Sequence, residues 1–203
     1  KGEFEIKPTF GAGTPFREGI AYVGQGFRRG FINNKGRWLS RFNGENARLF
    51  SEGLSAVSIK GKWGLIDIEG KIIVEPQFDL MDSPTEGLAI AVVSEKFGFA
   101  DTKGKLIINP VFEHAWPFSE GLAAVQIDGK IGFIKPNGEF HIDPKFSSEG
   151  INHKHKISFR DGITRVKIAE RWGFIKHSWP VSIIALDSHN LPVVNPPVDA
   201  PAR

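Results

Sequence analysis

One tripeptide returns at a fixed interval and constrains this chain more than any other feature. An acid, a glycine and an aliphatic residue stand together at Glu18-Gly19-Ile20, Glu52-Gly53-Leu54, Glu86-Gly87-Leu88, Glu120-Gly121-Leu122 and Asp161-Gly162-Ile163. These glycines are 34, 34, 34 and 41 residues apart. Eleven residues after each comes a second glycine: Gly30, Gly64, Gly98, Gly132 and Gly173. It is followed by Phe31, Leu65, Phe99, Phe133 and Phe174, and preceded by tryptophan at Trp63 and Trp172. An Asx-x-x-Gly turn signal comes next, at 33–36, 67–70 and 101–104, with 135–138 a variant. Pro-x-Phe then closes the unit at Pro76/Phe78, Pro110/Phe112 and Pro144/Phe146. A unit this short cannot bury a hydrophobic face alone, so the copies must bury theirs against one another.

Each unit reads as three short antiparallel strands. After the acid-glycine pair, every second residue forms one face: Ser55, Val57, Ile59; Ala89, Ala91, Val93; Ala123, Val125, Ile127; Thr164, Val166, Ile168. A period of two is the strand signature. Lys60-Gly61 and Asp128-Gly129 mark the tight turn into a second strand built on the Trp-Gly motif. The third strand alternates cleanly, as in Ile72, Val74, Pro76, Phe78. The predicted fold is therefore all-β, with five three-stranded repeats over 1–186 and a proline-rich tail or linker over 187–203. Residues 1–10 match a third strand, with Phe4, Ile6, Pro8 and Phe10 in register. Supplied to the last unit, they would close a propeller-like ring. The alternative is an open superhelical array cut in mid-repeat. Val181 to Leu186 offers a local third strand instead. The interval before the fifth unit holds seven extra residues, within 147–158, where a loop is expected.

These motifs together resemble the bacterial WG-repeat family. The resemblance rests on Phe50-Ser51-Glu52-Gly53-Leu54, Lys62-Trp63-Gly64-Leu65-Ile66-Asp67, Gly70-Lys71-Ile72-Ile73 and Pro76-x-Phe78, and extends over about residues 1–176. Unit one departs from it with Arg29 in place of the tryptophan, and unit five loses its aspartate and its Pro-x-Phe. The family implies a β-rich repeat module, found alone or appended to other domains. It implies no shared catalytic residues.

Composition narrows the function classes. The chain has 203 residues, no cysteine and a net charge of +3. Disulfides, thiolate nucleophiles and zinc–thiolate sites are excluded, and the lack of cysteine fits a bacterial protein without indicating a compartment. The mild charge gives no reason to expect nucleic acid as a partner. No apolar run reaches the roughly 18 residues of a membrane span. The chain opens on Lys1 with no targeting or lipidation motif, which reads as a processed or trimmed piece.

No nucleophile elbow, phosphate loop or zincin motif is present, so no catalytic residue, cofactor or metal is expected. The five acids would form a ladder. As a functional feature that ladder is an acidic rim for cations or sugars. As a structural one, each carboxylate accepts backbone N–H groups at its turn or pairs with Lys71 and Lys105. A repeat needs identical turns more than a site needs five identical acids, which favours the second. Aromatics off the repeat pattern, Trp116, Tyr22 and Trp179, are candidate ligand-stacking residues, although Trp116 would equally fill a gap between units. His153 and His155, with His141 nearby, suggest a metal or ligand contact, set against an incidental pair in a solvated loop. The expected function is a non-enzymatic binding or scaffolding module that recognises a protein or glycan through variable loops. A carboxylate-based glycan-active enzyme and a spacer within a larger protein are the alternatives, and the oligomeric state is left open.

Overall fold

The computed structural model describes residues 3–42, 44–151, 157–176, 183–186 and 192–193, the last two stretches without their side chains. Among the described residues every regular element is a strand, and these strands form five separate four-stranded antiparallel sheets. Among the described residues no helix crosses a membrane's thickness. Two compact bodies divide the chain, Lys1–Val111 and Phe112–Arg203.

The repeat pattern predicts three strands per unit; the first four sheets have a fourth, a two-residue lead strand ahead of the acid-glycine turn. In the second sheet the lead strand Asn46–Ala47 pairs with Leu54–Ile59, which pairs with Lys62–Asp67, which pairs with Ile72–Phe78. The equivalent lead strands elsewhere are Ala12–Gly13, Leu80–Met81 and His114–Ala115. The fifth sheet adds its extra strand at the other edge: Ile163–Ile168, Arg171–Lys176, Ile183–Leu186, Pro192–Val193. Its third strand is thus local. Residues 3–10 form no strand, and Pro192–Val193 carries pairing past position 186. The rest of 187–203 lies outside the described residues.

The motif glycines permit close strand approach. A Cβ on Gly98 would lie 2.5 Å from the Ile108 carbonyl oxygen and 2.7 Å from Pro110 N, and one on Gly132 would lie 2.8 Å from the Ile142 carbonyl oxygen. The third strand crosses directly over this glycine, with register shifts at the crossing and just after it in the second sheet. The Asx turns form as read: Asp67 Oδ1 accepts N–H bonds from Glu69 at 3.0 Å and Lys71 at 2.9 Å, and Asp101 repeats the pattern.

Alternation predicts one buried face per strand. Instead both faces of the central strands are buried, as along Leu54–Ile59 and Leu88–Val93; for Leu54–Ile59 the reason is a sheet stacked on either side. The forward face of a copy carries a cross-strand pair: Tyr22 opposite Phe31, Ala56 opposite Leu65, Ala124 opposite Phe133. It packs on apolar side chains of the next copy. Phe31 meets Phe50, Val57 and Ile66; Leu65 meets Met81, Ala89, Ala91 and Ala100; Phe133 meets Phe159, Val166 and Ile175. Burial of each large side chain contributes roughly 1.5–3 kcal/mol.

The rear face of the first sheet, Ala21, Val23 and Ile32, is covered by Ile6, Phe10 and Trp38. Ile6 sits over Gly36, where an added Cβ would lie 3.2 Å from it, as Ser40 sits over Gly70 and Val74 over Gly104. Ile6, Ser40 and Val74 are one period apart. The 3–10 segment therefore covers the first sheet as a preceding copy's third strand would, without a strand to pair with.

Candidate functional site

The acid-glycine pair is a two-residue hairpin turn in which both residues are left-handed. Glu52 has φ 55° and Gly53 φ 74°, and the other four copies match closely. Ser51 and Leu54 exchange both backbone bonds around it. Glutamate is costly in this conformation, where glycine or asparagine is preferred. The reason for its presence lies one copy back. Consecutive left-handed residues turn two N–H groups outward as an anion-binding nest, and the preceding copy's acid fills it. Glu18 accepts from Glu52 N at 2.8 Å and Gly53 N at 2.9 Å; Glu52 accepts from Glu86 N at 2.6 Å and Gly87 N at 3.0 Å; Glu120 accepts from Gly162 N at 2.9 Å. Backbone capping holds, but at the next copy's turn rather than the acid's own, and these contacts involve neither Lys71 nor Lys105.

A second carboxylate in three of the copies, missed in the sequence, caps the other hairpin. Glu45 accepts from Gly61 N at 3.1 Å, Asp79 from Ser94 N at 2.8 Å and Glu113 from Gly129 N at 3.1 Å. Lys62 also pairs with Asp79 at 2.5 Å. This bond to Lys62, with that from Ser94, holds the Asp79 carboxyl below its ordinary range. The identity varies between Glu and Asp. Only the spacing of 15 or 16 residues to the turn would have revealed it.

Two of the five candidate ligand residues have described positions. Trp116 is 4% exposed and lies in the core with Phe133 and Phe146, its ring edge-on to His114 at 4.4 Å. Tyr22 is half-buried against Phe31 and Phe42. Burial pushes its phenol up, against a downward pull from Arg29. Both rings sit within the packing between sheets. Trp179, His153 and His155 lie outside the described residues. Among the described residues no three His, Asp or Glu side chains group as a metal site.

The surface that stands out is a groove of about 810 Å³ at the fifth turn, lined by Glu120, Phe159, Arg160, Asp161, Arg165 and Phe174 among others. It is the forward face of the fifth copy. Arg165 stands opposite Phe174, where earlier copies place Tyr22, Ala56 or Ala124, and its guanidinium lies 5.0 Å from the Trp172 ring centre. Phe174 is 36% exposed, whereas Phe31, Leu65, Phe99 and Phe133 are each 0% exposed. No described residue bonds the Asp161 carboxylate.

Antiparallel sheets stacked within each body, and tied there by turn-capping acids, define a β-repeat protein. The family described as "WG containing repeat" matches residues 30–63, 63–97 and 97–130. The chain belongs to the WG-repeat proteins. No curated protein matches its sequence. Among solved structures it is similar to Hsv2p of Kluyveromyces lactis, with 9% identity and a TM-score of 0.50, over 80% of this chain and 59% of that one. The WD40 β-propeller domain of Doa1 aligns at 11% identity and a TM-score of 0.41, over 87% of this chain and 75% of that one. The chain thus spans under two thirds of the Hsv2p chain, and the likeness is one of fold.

Proposed function

We propose that the chain is a non-catalytic binding module that holds a protein partner in the groove at the fifth turn. One observation carries this reading. The groove presents, free, the two groups that earlier copies use up internally: a carboxylate shaped for a backbone nest and a phenylalanine shaped for an apolar neighbour. Arg165 adds a cation at the position where buried copies have none. The ladder acids support a non-catalytic role as well. Glu18, Glu52 and Glu120 each turn their carboxylate oxygens onto backbone N–H groups of the next copy's turn, which leaves them occupied rather than presented to a substrate.

The test is a binding screen of the wild-type chain and Arg165→Glu against immobilised peptide and glycan panels. Saturable peptide binding that Arg165→Glu abolishes supports the module. Saturable glycan binding without turnover would keep a binding role and change the partner class. Release of a sugar product would overturn the reading in favour of a carboxylate-based hydrolase.

A further inference from the structure

The groove's occupant can be read from the chain's own interfaces. Two interfaces within the two bodies, first-to-second copy and fourth-to-fifth copy, use two paired devices. One is a ring contact: Phe31 meets Phe50 with centroids 5.0 Å apart, and Phe133 meets Phe159 at 5.1 Å, both near edge-on. The other is the carboxylate in the next copy's nest. At the fifth copy the giving half of both devices is open, in Phe174 and Asp161. At the first copy the receiving half of both is open. Phe16 holds the position of Phe50 and Phe159, yet it is 44% exposed where they are 3% and 1%. The Glu18–Gly19 turn has the same left-handed pair as the others, φ 51° and 75°. Its two N–H groups meet no acceptor among the described residues.

We propose that the fifth copy of one chain docks on the first copy of a second chain, head to tail, through these four groups. The proposal rests on the reading of the groove as a binding surface and names its occupant. Asp161 of one chain fills the Glu18–Gly19 nest of the next, and Phe174 packs edge-on against Phe16. The 3–10 segment of the incoming chain already lies where a preceding copy's third strand would run. It therefore takes over the edge of Arg171–Lys176 that Ile183–Leu186 holds through two paired residues. Glu3 and Glu5 on that segment are exposed and bring negative charge toward Arg160 and Arg165. The interface joins different surfaces of identical chains, so it propagates.

Sedimentation velocity on the intact chain tests this. Wild-type protein is expected to form concentration-dependent oligomers. Phe16→Asp and Phe174→Asp, each open at only one end, are expected to stay monomeric alone and to form a one-to-one dimer when mixed. The chain has no cysteine, so Phe16→Cys and Phe174→Cys in separate chains should join through a short bis-maleimide. Asp161→Asn should weaken association about tenfold. Both phenylalanines are exposed, and unchanged far- and near-ultraviolet circular dichroism confirms folding of the variants. A wild-type monomer at several hundred micromolar, or a mixture of the Asp variants that fails to dimerise, overturns the proposal. Peptide or glycan binding by such a monomer would leave the binding-module reading intact, so the two failures are distinguishable.

Discussion

At the residue scale, the ladder acids hold a conformation that suits them poorly because another copy needs their carboxylates. This separates Glu52 from Asp161. Glu52→Asn places a better residue at a left-handed position but replaces the carboxylate that reaches Glu86 and Gly87 with a shorter, uncharged amide. A loss of about 1–2 kcal/mol by urea denaturation is expected. Asp161→Asn gains the same turn preference with no described bond to lose, so stability should hold or rise by about 0.5 kcal/mol. Tyr22 is the only tyrosine, so an ultraviolet titration reads it alone. Its phenol is raised above 10.0 by burial, which places the midpoint above that value. The sign follows: the folded chain holds this proton more tightly, so the contribution is full below pH 10 and is lost as pH rises toward the folded pKa. The acid's capping role was legible in the sequence as a kind of contact. Its target was not, because a nest one period away looks the same as a nest at home.

At the element scale, the central glycine and the lead strands tell opposite stories about legibility. The glycine declared itself by recurring five times, and close approach was the natural explanation. Gly98→Ala should cost about 2–3 kcal/mol, read by thermal or urea unfolding, since its Cβ would meet backbone rather than a movable side chain. Lead strands of two residues have no periodicity to detect, and their partners lie across a turn. Unit one shows compensation hidden from register alone. Gly44 stands where Phe78 stands in the next copy, and the Phe42 ring fills the space a side chain on Gly44 would need. Phe42 packs with Phe31, Phe50 and Val57. Phe42→Ala is expected to cost about 3 kcal/mol by the same unfolding assay. Asp79 belongs to this scale because it locks a hairpin. Its folded pKa lies below the ordinary 3.8, so its stabilisation is present above that pH and is lost as pH falls through the folded value. Urea midpoints measured down through this range should fall less steeply for Asp79→Asn than for the wild type.

At the scale of the whole molecule, stability is a sum over neighbours. Phe133 is fully buried against the fifth copy. Phe133→Ala should speed amide exchange in Ala123–Ile127 and Ile163–Ile168 while leaving Leu54–Ile59 protected, as hydrogen-exchange mass spectrometry would show. A consequence for inheritance follows from the nests. Carboxylate and turn are one 34-residue period apart along most of the chain, so a duplicated segment of one period supplies a new acid for every new turn wherever the genetic breakpoint falls. Lengthening in whole units therefore breaks no existing bond. The insertion of another size that the chain carries, seven residues, lies between Pro144-x-Phe146 and Asp161, outside the strands and turns that the period keeps in register.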